Sequence, residues 1–95
     1  MVLLRIQHPV GDFERWKAAF DSDPLDRRGS SVRGYAVHRD ADDPTVVVID
    51  LEFDDADAAR AMLARLEAMW ASRPAGIAAE PRTSVLETVE RVALQ

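Results

Sequence analysis

Residues 45–53 read TVVVIDLEF, the most continuously β-branched and apolar run in the chain. Val46, Val47, Val48 and Ile49 suit a strand that is apolar on both faces. The alternation then sets Leu51 and Phe53 on one side against Asp50 and Glu52 on the other. The pattern predicts a central strand. One face suits a helix-covered core, whereas the other begins apolar and ends in two carboxylates, which need water, a counter-charge, a partner subunit or a ligand.

Immediately before this run, residues 40–44 (DADDP) have turn composition, and residues 32–39 (VRGYAVHR) alternate as a second strand, so the three segments predict a hairpin. After it, Asp54 or Asp55 caps a helix running to about Ser72, with Ala59, Met62, Leu63, Leu66, Met69 and Trp70 on one stripe. Pro74, Gly76 and Pro81 mark a long connection with a brief turn over 77–79. Residues 83–93 (TSVLETVERVA) predict the last strand by β-branched content, although their periodicity also fits a helix.

At the front, residues 2–7 predict a short strand with Val2, Leu4 and Ile6 opposite Leu3, Arg5 and Gln7, and His8-Pro9 stops it. Asp12 is the expected cap of a first helix whose Phe13, Trp16, Ala19 and Phe20 share a stripe and which Asp23-Pro24 ends. Residues 25–31 (LDRRGSS) form a polar connection expected to be mobile.

Ninety-five residues predict a single domain with one thin core, since about 60 to 65% of the unfolded surface is buried at this size. Without cysteine there is no disulfide, thiolate metal site or cysteine nucleophile, and two histidines without ligand spacing give no support for a metal. No organic cofactor has positive support either. The net charge of −5 disfavours nucleic acid and anionic membrane. The first ten residues lack a basic segment and a long apolar segment, and no run approaches a membrane span, so a cytoplasmic location is expected.

The order strand, helix, strand, strand, helix, strand is the ferredoxin-like α+β plan. Right-handed crossovers place both helices on one face of a four-stranded antiparallel sheet of order 4-1-3-2. With a symmetric five-residue hairpin loop, Arg39 faces Thr45. Val37, Tyr35 and Arg33 then join Val47, Ile49 and Leu51 on the helix side, while His38, Ala36 and Gly34 join Val46, Val48 and Asp50 on the other. Arg5 lies opposite Asp50 or Glu52 as a cross-strand ion pair.

With that order over nearly its whole length, and with the segments HPVGDFERWKAAF and VIDLEFDDADAARAMLARLEAMW, the chain resembles the dimeric α/β-barrel superfamily. It is similar to small bacterial antibiotic-biosynthesis-monooxygenase-like proteins, some carrying a cyclase label. The resemblance implies a homodimer with two sheets face to face. It further implies a small hydrophobic or aromatic ligand, and cofactor-free oxygenation, isomerisation or cyclisation. No diagnostic catalytic signature accompanies the pattern, and membership alone sets no reaction. Haem-degrading members use an asparagine late in the first strand, a tryptophan on the second helix and a histidine near it. Gln7 and Trp70 sit in broadly similar places, but residues 55–80 hold no histidine, which argues against haem degradation.

On that reading Gln7, Asp50 and His38 are the catalytic candidates, and Arg5, Glu52 and Trp70 are the candidates for holding ligand. A carboxylate of the Asp50 and Glu52 pair becomes a base only if desolvation raises its pKa, and a nearby Arg5 opposes that. The bland alternatives are a structural ion pair, a structural loop histidine at position 8, a solvated histidine at position 38, and aromatic residues that only fill the core. The corresponding alternative function is a non-enzymatic dimerisation or ligand-sensing module. An RNA-recognition module needs aromatics on an open sheet and a basic surface, and an acylphosphatase needs a glycine-rich phosphate loop. HPVGDFER offers a single glycine.

Overall fold

A computed structural model describes residues 1–22, 31–71 and 81–94. The expected connections over 25–30 and 72–80, including the turn at 77–79, lie outside the described residues, as does Ser72 at the expected end of the second helix. The elements are β1 (Val2–Pro9), α1 (Phe13–Asp21), β2 (Gly34–Arg39), β3 (Val46–Phe53), α2 (Ala56–Ala71) and β4 (Arg82–Glu87). The four strands form one antiparallel sheet in the order β2-β3-β1-β4, the ferredoxin-like α+β arrangement.

The core lies on the helix side of the sheet. Val2, Leu4 and Ile6 from β1, together with Val47, Ile49, Leu51 and Phe53 from β3, are buried against Ala59, Met62 and Leu66 of α2. Asp55 caps α2 by accepting the Ala58 backbone N–H at 2.8 Å. Leu63, Met69 and Trp70 complete the stripe as half-buried residues. In α1, Asp12 is the N-cap and accepts the Arg15 N–H at 3.2 Å. Phe13, Trp16 and Phe20 are half-buried, while Ala19, expected on the same stripe, is exposed. This helix is held by rings. Trp16 stacks on Phe20 with centroids 5.2 Å apart, Phe20 meets Tyr35 edge-on at 5.3 Å, and the Arg39 guanidinium lies 4.6 Å from the centre of Phe13.

Three boundaries differ from expectation. β1 runs on through His8 and Pro9, which pair with Val47 and Val46. Since the Val10 N–H donates to the Thr45 carbonyl, the Pro9 nitrogen points toward β4, whose pairing with β1 ends at Gln7 and Arg82. The missing N–H costs no ladder bond there. β4 stops at Glu87 and not near Ala93, because its pairing with β1, its neighbour in the sheet, ends at Val2 opposite Glu87. Thr88 N–H donates to the Met1 carbonyl, and the described residues after it pair with no strand. The β2–β3 register is displaced by two residues, with Arg39 opposite Val47 and Val37 opposite Ile49. A two-residue displacement preserves the faces, so Tyr35 and Val37 lie on the helix side and His38 on the other, as expected.

Candidate functional site

Alternation along the strands builds the open face in transverse rows. Arg82, Gln7, Val48 and His38 lie in one row from β4 through β1 and β3 to β2. Ser84, Arg5, Asp50 and Ala36 form the next, followed by Leu86, Leu3, Glu52 and Gly34. Five of the six sequence candidates are thereby brought together: Arg5, Gln7, His38, Asp50 and Glu52. Trp70 is separated from them by the sheet, because it packs against the core beneath the helices.

The centre of the face is an ion pair. Arg5 Nε donates to Asp50 Oδ1 at 2.8 Å and Nη2 to Oδ2 at 2.9 Å, a bidentate fork between direct cross-strand neighbours. Asp50 is only 9% exposed, although neither described helix packs on this face. The hydrogen bond from Arg5 holds its carboxyl below the usual carboxylate range, outweighing burial in the opposite direction, with further help from the charges of Arg5 and His38. This carboxylate is therefore a poor general base. It is well placed to orient another group.

His38 is its neighbour on β2, beyond hydrogen-bond distance. Its Nε2 lies 3.9 Å from Asp50 Oδ2, and more than half of its side chain is exposed on the open face. Glu52, the second carboxylate, folds over Gly34, where an added Cβ would meet Oε2 at 3.1 Å. Arg91, in the segment after β4, approaches Glu52 Oε1 at 3.7 Å. Leu3, Val46 and Val48 are half-buried between these charges, and Leu86 is exposed beside them. Among the described residues no three His, Asp or Glu side chains are grouped as a metal ion would require.

His8 belongs to the opposite side. It is a strand residue and not a loop one, set edge-on to Trp16 with centroids 5.8 Å apart, and its Nδ1 lies 3.0 Å from the Pro9 carbonyl oxygen. Burial lowers its pKa, partly offset by that carbonyl.

The residues that sequence reasoning missed are Arg82 and Ser84. Assigning them to the open face requires the pairing of β4 with β1. The alternation of Thr83 and Val85 with Arg82 and Ser84 is the signal in the sequence, and the structure leaves the first pair half-buried and the second exposed.

No sequence-family model matches the chain, and no curated protein matches it. Solved structures do match in fold. A Deinococcus radiodurans protein provisionally named an antibiotic biosynthesis monooxygenase superposes with a TM-score of 0.70 at 14% identity, over 100% of this chain and 99% of its own. A second antibiotic biosynthesis monooxygenase gives 0.66 at 15% identity, over 95% and 100%. A Bordetella bronchiseptica protein, again provisionally so named, gives 0.61 at 20% identity, over 94% and 98%. The fold is thus that of the antibiotic-biosynthesis-monooxygenase-like proteins, the group the sequence resembles. No helix of the described residues is long and apolar enough to cross a membrane.

Proposed function

We propose that this chain works as a homodimer whose open sheet faces meet and enclose a small hydrophobic or aromatic molecule, on which it acts as a cofactor-free oxygenase, isomerase or cyclase. One observation carries the reading. The face away from the helices combines half-buried Leu3, Val46 and Val48 with a bidentate Arg5–Asp50 pair whose carboxylate is already sheltered from water. Such a surface suits a covered polar centre in an apolar wall. The likeness in fold to proteins named as monooxygenases supports the activity class.

In this reading His38 takes the proton from an acidic hydroxyl or C–H of the ligand, Asp50 orients the imidazole and stabilises the imidazolium, and Arg5 keeps Asp50 charged. The resulting electron-rich ring is the species from which isomerisation, cyclisation or attack on dioxygen starts. The same strong Arg5–Asp50 pairing favours a second reading, a dimerisation or ligand-sensing module in which the pair is structural.

Sedimentation over about a hundredfold dilution tests the shared premise, since a dimer's mass holds only above its dissociation constant. Persistent dimer is expected, with a co-purifying small molecule detected by native mass spectrometry. A monomer throughout would overturn both readings. Between them, His38→Gln in a stable dimer abolishes turnover in the first and has no turnover to lose in the second.

A further inference from the structure

We infer that the β1–β4 half of the open face is an anchor for the carboxylate of an elongated aromatic acid, with Arg82 as its principal cation; this rests on the reading that the face holds a small molecule. Arg82 lies directly opposite Gln7 and Ser84 directly opposite Arg5, so four hydrogen-bond donors occupy adjacent pairs on two neighbouring strands. Side chains so placed are about 5 Å apart across the strands and about 7 Å apart along them. No carboxylate of β1 or β4 shares that face, since Glu87 pairs with Val2 and therefore points to the helix side.

The donors are also unspent. Arg5 uses Nε and Nη2 on Asp50, which leaves its Nη1 edge without a partner. Gln7, Ser84 and Arg82 make no side-chain hydrogen bond or ion pair among the described residues. Arg5, Arg33 and Arg91 each have a carboxylate partner, whereas Arg82, like Arg15 and Arg60, has none among the described residues. A carboxylate presents two coplanar oxygens that match the guanidinium fork, with the Ser84 hydroxyl and Gln7 amide as further donors.

The rows also set the ligand's length. Arg82 and His38 close opposite ends of one row, with Gln7 and Val48 between them. Three strand spacings separate their backbones by about 14 Å, and inward-leaning side chains shorten the gap to the span of a two- or three-ring skeleton. An acid held at Arg82 lies over Val48 and brings its far end to His38.

The test is an amide chemical-shift titration of the full chain with 2-naphthoate and with the neutral 2-naphthylmethanol, on wild type and Arg82→Gln, with sedimentation of both proteins. The expected result is acid binding about tenfold or more tighter than alcohol, shifts at Arg5, Gln7, Arg82 and Ser84, and loss of that preference in Arg82→Gln with the assembly unchanged. Equal affinity for acid and alcohol on this face overturns the anchor and leaves the small-molecule reading standing. Arg82→Gln that weakens self-association while retaining the preference makes Arg82 an interface residue and overturns the anchor. Binding of neither probe at about 10 mM, beyond the weakest affinity useful here, overturns both.

Discussion

The Arg5–Asp50 pair makes a quantitative demand on stability. Arg5→Met keeps most of the side-chain stem but strands a carboxylate that is 9% exposed, with His38 Nε2 3.9 Å away. Losing one partner of a fully buried pair costs about 3–5 kcal/mol, and an exposed pair contributes under about 1. Here the arginine side chain is 48% exposed, so water relaxes part of the penalty and about 2 kcal/mol is expected. Asp50→Asn removes the charge while keeping the shape and costs about 1 kcal/mol. In the double variant the penalty of the stranded charge disappears, giving a coupling of about 1–2 kcal/mol. Urea unfolding at pH 7 and one fixed protomer concentration measures it, since at about 1 kcal/mol per molar urea the Arg5→Met midpoint falls by about 2 M. Acid adds a second readout. The folded Asp50 carboxyl titrates below its unfolded value near 4, so its contribution is complete above about pH 4 and is lost as pH falls through the folded value. Asp50→Asn flattens that limb. A coupling below about 0.3 kcal/mol, together with an unchanged acid limb, would refute the claim that this fork holds the face together.

The remaining expectations concern the other side of the sheet. Burial lowers the folded pKa of His8, so its contribution is present above the unfolded value of about 6.5 and declines as pH falls below it; His8→Gln should remove that step from a stability–pH profile. Phe53 is fully buried in the core, and Phe53→Ala should cost about 3–5 kcal/mol by urea unfolding, a large share of the stability of a domain of this size. Asp12→Ala removes the N-cap of α1, which has no fully buried residue, so about 1 kcal/mol should be lost with hydrogen exchange rising first in that helix.

The fold was legible because its elements carry local signals: two capping aspartates, two helical stripes, and a β3 run too apolar for an edge. Face membership in β1, β2 and β3 was legible for the same reason, and with it the meeting of Arg5, Gln7, His38, Asp50 and Glu52. What could not be read locally depends on neighbours. β4 ends where β1 begins, a fact about residues some ninety positions apart, so the β-branched tail after Glu87 looks like strand and is not. Val89 in that tail is 94% exposed. The hairpin register rests on side chains inside the turn. Asp40 accepts the N–H groups of Asp42 and Asp43, Asp43 accepts that of Thr45, and Asp40 N–H donates to the Val46 carbonyl, which lengthens the loop by two residues over the symmetric five-residue turn.

That loop governs more than the position of a turn. Side chains change face with every single step along a strand, so a one-residue slip of β2 against β3 exchanges the faces of β2, whereas a two-residue slip keeps them. A turn that imposed a one-residue slip, with β3 fixed by its pairing to β1, would carry His38 under the helices and bring Tyr35, Val37 and Arg39 onto the open face. The chemistry of the open face would then be rewritten without touching any residue that forms it. The β2–β3 turn is therefore itself part of what specifies the site, through the pairing that it sets.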